Sequence, residues 1–225
     1  MTTEAGRAAV AATVADPATA ADPATAADPA AEPDPPARGV VTGADGLARC
    51  PWAAGTADYA AYHDDEWGRP LTGDDALFER VCLEAFQSGL SWITILRKRP
   101  AFRAAFAGFA IDRVAAFGDA DVERLLLDAG IVRNRAKIDA AIANARVARG
   151  LPEGLSALLW SFAPPRGPRP VTLDEVPAVT AGSTAMAREL KRRGFRFVGP
   201  TTAYALMQAT GMVDDHLAGC HVTPA

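Results

Sequence analysis

Asp75-Ala-Leu-Phe-Glu-Arg-Val-Cys-Leu-Glu-Ala-Phe-Gln-Ser-Gly-Leu-Ser-Trp92 is the stretch whose reading decides the fold. With Leu77 at zero on a helical wheel, a period of about 3.6 residues places Val81, Ala85, Phe78 and Cys82 within one apolar arc of about 140°. The stretch therefore reads as a helix packed on a core. Glu84 falls about 20° to the other side of Leu77, so its carboxylate starts at the edge of the apolar face. It is either a boundary glutamate that reaches to solvent or a carboxylate set against a recognition pocket. Ser88-Gly89 stops the helix and Leu90-Ser91-Trp92 opens the next, which brings a glutamate, a Gly-Leu turn and a tryptophan close together.

Outward from this helix the pattern stays helical. Upstream, residues 56–67 place Tyr59, Tyr62 and His63 three and four apart on one face. Downstream come 91–106, interrupted at Pro100, then 111–117, and 120–129 with Gly130 as C-cap. Residues 134–149 turn Ile138, Ala141, Ile142 and Ala145 inward, and 155–162 closes this block before a proline-rich loop over 163–170. A helix over 185–193 ends at Gly194, Phe195–Val198 turns a corner, and Gly199-Pro200-Thr-Thr202 starts a last helix. Period-two alternation persists nowhere over a strand length, so the fold class is all-α. The final helix, tight glycine-flanked corner and helix resemble the helix-hairpin-helix DNA-binding element. Backbone N–H groups of Gly199 and Thr201 at the new N-terminus would face a phosphate, with Lys191, Arg193 and Arg196 nearby. A plain αα-hairpin has the same pattern.

Residues 1–46 differ in kind. They carry Asp-Pro pairs every six residues (Asp16-Pro17, Asp22-Pro23, Asp28-Pro29) and no aromatic residue, so they read as a disordered tail ahead of one folded domain over 47–225. No secretory apolar run follows a basic start, and acidic residues argue against a transit peptide. No stretch approaches the length of a membrane span. Residues 1–45 hold seven acidic and two basic residues, which leaves 21 basic and 20 acidic residues in the remainder. The folded part is thus not acidic, and Arg97-Lys98-Arg99, Arg133/Arg135/Lys137 and Lys191-Arg192-Arg193 with Arg196 form basic clusters. Each is either a solvated helix end or part of a phosphate-binding face.

Three cysteines form neither a disulfide framework nor a four-cysteine iron-sulfur site, and their scarcity fits a reducing, cytoplasmic setting. His216 and Cys220 are i, i+4, one side of a helical turn, and Cys50 with His63 offers an upstream pair. Two cysteines and two histidines would complete a closed tetrahedral zinc site. The alternative is that these are unpaired side chains, and His221 is a competing neighbour. Cys82, on the core face of its helix, is a small buried apolar residue.

Taken together, several motifs resemble the 3-methyladenine DNA glycosylase I family. They are Cys50-Pro-Trp52, Tyr59-Ala-Ala-Tyr-His-Asp-Asp-Glu-Trp-Gly68, Leu77-Phe-Glu-Arg-Val-Cys-Leu-Glu84, Gln87-Ser-Gly-Leu-Ser-Trp-Ile-Thr94, Asp128-Ala-Gly-Ile-Val-Arg-Asn-Arg-Ala-Lys-Ile138, Arg192-Arg-Gly-Phe-Arg-Phe-Val-Gly199, Tyr204 and Asp215-His-Leu-Ala-Gly-Cys220. The similarity runs from about residue 48 onward and leaves out the tail. It implies a helix-hairpin-helix glycosylase fold whose termini are joined by one structural zinc ion on Cys50, His63, His216 and Cys220. It implies a base pocket lined by Trp52, Tyr59, Tyr62, Trp67 and Trp92, with Glu84 contacting an extruded base, and Gln87, Gly89 and Leu90 at the gap left in the duplex. The chemistry agrees: aromatic rings attract a cationic methylated purine and a carboxylate reads its amino edge.

The implied reaction is hydrolysis of the N-glycosidic bond of alkylated double-stranded DNA by a monomeric enzyme, without a lyase step. One departure stands out. Asp214 occupies a position where the type I enzymes commonly carry asparagine and the wider superfamily its catalytic aspartate. Asp214 either stabilises a developing oxocarbenium ion or is a residue beside the metal; the second reading is preferred. The rival functions are a non-enzymatic zinc-stabilised helical DNA-binding protein, against which an aromatic pocket with a glutamate speaks, and a glycosylase for other bases, against which the missing cluster cysteines and lysine nucleophile speak.

Overall fold

The computed structural model describes residues 38–223, so the Asp-Pro repeats lie outside the described residues. The order is β1 (Val41–Thr42), β2 (Ala48–Arg49), α1 (Ala57–Asp65), α2 (Asp74–Gln87), α3 (Trp92–Ala105), α4 (Ile111–Ala115), α5 (Asp119–Leu127), α6 (Arg135–Arg149), α7 (Leu155–Trp160), α8 (Ala181–Arg193) and α9 (Pro200–Ala209). The architecture is helical, as the periodicity predicts. The β1–β2 pair is a two-residue antiparallel ladder, too short to show as alternation. It places residues 41–42, assigned by composition to the tail, against the first residues of the folded unit.

α2 is the axle, and its surroundings differ from the wheel. Every residue from Leu77 to Phe86 is buried, because α3, α6, α7 and α9 all pack around it. Its polar residues are therefore matched individually. Glu79 pairs with Arg103 at 2.8 Å and Arg80 with Glu66 at 2.6 Å. The first-turn carboxylates serve other helices: Asp75 accepts the Ile111 N–H at 2.8 Å and Asp74 the Ser156 N–H at 2.8 Å. Ala110 and Gly154, which precede α4 and α7, have no side chain able to cap, so α2 caps both helices from a distance. Beside α2, Phe86, Phe102, Phe106 and Phe109 form a dry cluster in which Phe106 and Phe109 stack at 5.4 Å.

Four local expectations are corrected. α3 runs through Pro100 without a break; the lost hydrogen bond is tolerated because Ile95, Leu96, Phe102 and Ala105 anchor the helix on both sides. α5 ends at Leu127 with Asp128 as C-cap, and Gly130 serves close packing instead, since a Cβ there would lie 2.9 Å from the Ala101 Cβ. α8 begins at Ala181, four residues before the apolar pattern suggests, because Thr180 and Ser183 cap reciprocally at 3.0 and 2.9 Å. His216 and Cys220 do not lie on a helical turn. They belong to irregular chain after α9, closed by the Cys220 N–H donating to the Leu217 carbonyl at 2.8 Å.

α8 and α9 meet at the expected corner. Gly194 caps α8 in the left-handed region (φ 102°) and Gly199 precedes Pro200 at the start of α9. Phe197, exposed at the corner, also has positive φ at 55°, a backbone strain that the neighbouring contacts must hold.

Candidate base-binding site and metal centre

α1, α2, the first turn of α3 and α9 enclose a cavity of about 310 Å³. Trp52, Tyr59, Tyr62, Trp67 and Trp92, all expected from the sequence, line it together with Glu84 and Gln87. The rings meet edge-on or tilted: Trp52 lies 5.8 Å from Tyr59 and 5.0 Å from Trp67, and Tyr62 lies 5.4 Å from Trp92. The Tyr59 hydroxyl accepts the Ile93 N–H at 3.1 Å, which ties the α1 wall to the N-terminus of α3. The buried Trp92 Nε1–H has no acceptor among the described residues.

Glu84 is 5% exposed and borders the cavity. Its carboxyl makes no hydrogen bond or ion pair among the described residues. Burial pushes its pKa up from 4.5 to about 8, while the Arg80 guanidinium one helical turn away pulls in the other direction. Such a group favours its neutral form, and a positive charge beside it would favour ionisation.

Behind Tyr62 the electrostatics are reversed. Arg80 lies 5.7 Å from the Tyr62 ring centroid. Glu66 accepts from Arg80 at 2.6 Å and from Arg99 through two bonds of 2.6 Å. Burial opposes ionisation of Glu66 as well, but the two guanidinium groups hold its pKa down at about 2.

The four expected metal ligands come together. Ligand atoms of Cys50, His63, His216 and Cys220 all lie within 4.8 Å of one another. His63 Nε2 is 3.2 Å from His216 Nδ1, and Cys220 Sγ lies 3.5 and 3.6 Å from those nitrogens. The other ring nitrogens are already engaged, His63 Nδ1 by Asp64 at 2.7 Å and His216 Nε2 by the Trp67 carbonyl at 3.1 Å. Such partners orient ligating histidines. The cluster also touches the cavity wall, with Trp52 5.3 Å from His63 and Trp67 4.7 Å from His216. His221 is turned away toward the Ala48 carbonyl at 2.9 Å.

Asp214 is not on the cavity. Its carboxylate pairs with Arg169 at 2.9 Å and accepts the His216 N–H at 3.4 Å. The adjacent Asp215 does line the cavity, its Oδ2 accepting from the Tyr204 hydroxyl at 2.6 Å and Gln208 at 2.8 Å. Sequence reasoning missed Asp215 and Gln208, as well as Leu173 and Val176, which also line the cavity. The i, i+4 spacing of Tyr204 and Gln208 was the available signal for the first pair; nothing in the loop sequence flags the second.

A second cleft adjoins the cavity and shares Glu84 and Gln87 with it. Ser88, Gly89 and Leu90 form one side and Thr201 the other, at the N-terminus of α9. Gly199 and Arg196 follow along the α8–α9 corner. The basic clusters are largely committed elsewhere: Arg97 to Asp58, Arg99 to Glu66, Arg135 to Glu123, Arg192 to Glu189, and Arg193 to Glu189 and Glu153. Lys191 and Arg196 make no ion pair among the described residues. Lys137 is buried and points inward.

Comparison with known proteins places this geometry in context. A family model described as methyladenine glycosylase matches residues 52–223. DNA-3-methyladenine glycosylase 1 of Escherichia coli (strain K12) is 47% identical over 183 residues, 79% of this chain and 98% of that protein. A crystal structure of 3-methyladenine DNA glycosylase I superposes with a TM-score of 0.75 at 46% identity, covering 78% of this chain and 100% of the other. A tyrosine-to-phenylalanine variant of 3-methyladenine DNA glycosylase I, solved in complex with 3-methyladenine, superposes with a TM-score of 0.74 at 32% identity, covering 79% and 98%.

Proposed function

The chain belongs to the methyladenine glycosylase family, and from that premise we propose that its aromatic cavity receives 3-methyladenine extruded from alkylated DNA, with Glu84 as the residue that recognises it. The activity is that of a base-excision repair glycosylase: hydrolysis of the N-glycosidic bond releases the base and leaves an abasic site. The observation that carries the assignment to this cavity is Glu84, a residue only 5% exposed whose carboxyl has no hydrogen-bond partner among the described residues and borders a ring-walled space. A largely desolvated carboxyl without a protein partner is costly. Its place is explained by a cationic ligand.

The chemistry follows from charge. The N3-methylated nucleotide carries a positive charge, and Trp52, Tyr59, Tyr62, Trp67 and Trp92 attract it through their ring faces. Its arrival favours ionisation of Glu84, which then accepts from the amino edge of the purine. Ordinary adenine brings no charge, leaves Glu84 protonated and gains little from the cavity. As the bond from C1′ breaks, its electron pair neutralises the departing base, water adds to C1′, and the water's proton passes to solvent. The cavity lining contains no lysine, in keeping with hydrolysis without a covalent intermediate. Asp214, paired with Arg169, is assigned a structural place beside the metal.

In this reading Cys50, His63, His216 and Cys220 hold one structural zinc ion. Tetrahedral bonds of about 2.0–2.1 Å to nitrogen and about 2.3 Å to sulfur put nitrogens about 3.3 Å apart and nitrogen about 3.6 Å from sulfur. The His63–His216 separation of 3.2 Å and the Cys220 separations of 3.5 and 3.6 Å match. Bound there, zinc supplies cross-linking alone. The α8–α9 corner acts as a helix-hairpin-helix phosphate site through Gly199, Thr201, Lys191 and Arg196, and Gln87, Gly89 and Leu90 enter the gap in a duplex bound by a cytoplasmic monomer. No described helix is long and apolar enough to cross a membrane.

Incubation with methylated duplex DNA and identification of the released bases tests the assignment. Free 3-methyladenine is the expected product, and DNA binding without base release would reject it. Metal analysis of the purified protein should find one zinc per chain; a metal-free protein of full activity would reject the zinc.

A further inference from the structure

Lys137 and Asn144 are the polar residues of α6 that ordinary helix chemistry leaves unexplained. Lys137 is 8% exposed and Asn144 1% exposed. They are one heptad apart, which puts them within about 20° on the same face and about 10 Å apart along the axis. Lys137 sits in the first turn of α6, the end at which a helix disfavours a cation, and burial lowers its pKa. No carboxylate pairs with it among the described residues. Its ammonium donates instead to the carbonyls of Phe86 at 2.9 Å and Ser88 at 2.5 Å, at the C-terminus of α2, whose last turn has no basic residue of its own. Asn144 accepts the Arg196 N–H at 2.8 Å and donates to the Arg196 carbonyl at 3.1 Å.

One grip falls on the turn that lines the second cleft, and the other on the corner that leads into α9, whose Thr201 lines the cleft's other side. Ser88 (φ −47°, ψ 116°) and Gly89 (φ 80°) form a type II turn closed by the Leu90 N–H donating to the Gln87 carbonyl at 2.6 Å. Types I and II differ by a flip of the central peptide, the one whose carbonyl Lys137 holds. Because C=O and N–H oppose one another across a trans peptide, a Ser88 carbonyl held toward α6 turns the Gly89 N–H away from it. That N–H has no acceptor among the described residues. Leu90, 41% exposed, stands beside it. At the other turn, Asn144 secures the backbone immediately before the strained Phe197 and leaves the Arg196 side chain exposed.

We propose that α6 is the bracket that sets the spacing of the two DNA-contacting turns, with Lys137 and Asn144 as positioning residues and the Gly89 N–H as the hydrogen-bond donor that the Lys137 grip presents to an acceptor in the gapped duplex. The proposal rests on the glycosylase reading above. It separates two functions that share one cavity: holding a methylated base, which the ring walls and Glu84 accomplish, and holding the DNA from which it came, which needs both turns in register.

The test compares duplex substrate with free base. Lys137→Met and Asn144→Leu should each lower kcat/KM for 3-methyladenine release from methylated duplex by about 10- to 100-fold, the scale of small misplacements. Binding of free 3-methyladenine, followed by tryptophan fluorescence, should stay within about twofold of wild type, since neither residue lines the cavity. Lys137→Arg should recover most of the loss. Because both grips set one spacing, the double variant should lose less than the product of the two single losses. If Lys137→Met does not fold, Gly89→Ala carries the same test: its Cβ meets nothing within 4 Å, but its positive φ is penalised, so duplex activity should fall with free-base binding intact. Undiminished duplex activity in these variants, or a parallel loss of free-base binding, overturns the proposal. Failure of the underlying reading looks different, because the wild-type protein would then release no base at all.

Discussion

The lining of the cavity and the layer behind it each contain a glutamate, Glu84 buried and Glu66 half-buried, and the two are treated in opposite ways. Glu66 meets two arginines and is held ionised at a pKa of about 2; Glu84 meets none directly and rises to about 8. They differ both in exposure, with Glu84 at 5% and the Glu66 side chain at 32%, and in company. Desolvation raises the pKa of both carboxyls, and the two guanidinium groups reverse its effect at Glu66. Behind the wall, charge is neutralised within the protein and supports Tyr62 from beneath. At the cavity lining, neutralisation is left to whatever enters.

Four variants or conditions sharpen or break this contrast. The largest effect is expected for Glu84→Gln, which keeps the shape and removes the inducible charge: 3-methyladenine release should fall by about 100-fold or more, and a rate near wild type would mean that the rings alone read the base. Glu66→Gln should act on the fold. It strands Arg80 and Arg99, whose side chains are largely buried, at a cost of about 3 kcal/mol in urea unfolding; an unchanged midpoint would show that these guanidinium groups find other partners.

Stability against pH gives the third contrast. Glu84 has its folded pKa above 4.5, so the native state keeps a proton that the unfolded chain releases, and its contribution declines as pH rises from about 4.5 to about 8. Glu66 runs the other way: its contribution is present above about 4.5 and is lost as pH falls toward about 2. Urea unfolding between pH 5 and pH 8 should therefore show a loss on the order of a few kcal/mol in the wild type that Glu84→Gln abolishes. Parallel profiles would place the pH dependence elsewhere. The smallest effect is expected for Asp214→Asn, which retains a hydrogen-bonding side chain opposite Arg169. Most base release should survive, with a stability change below about 1 kcal/mol. A folded but inactive protein would give Asp214 the catalytic place denied to it above.

Legibility in the sequence followed the range of the forces involved. Helix positions come from local periodicity and caps, and Thr56, Asn134 and Gly194 mark their ends in the structure as in the sequence. Glu84 stood out because a carboxylate interrupts an apolar face. What could not be read is set by partners distant along the chain. Lys137 looked like one member of a surface cluster, and only the approach of α6 to the end of α2 turns it inward. Leu173 and Val176 line the cavity from a short turn whose sequence gives no sign of it. Asp214 and Asp215 are indistinguishable as letters; Arg169 claims one, Tyr204 and Gln208 the other. Gly130 resembled a helix cap, and the nearness of Ala101 gives it a different task.

The bond from His216 to the Trp67 carbonyl has a consequence for biosynthesis. Trp67 is made early and its anchor late, 149 residues downstream. A chain emerging from the ribosome has every aromatic wall of the cavity exposed to the cell well before the residue that fixes one of them exists. The setting of the Trp67 wall therefore depends on a residue made 149 positions later. A chain lacking His216 would leave the Trp67 carbonyl without this partner.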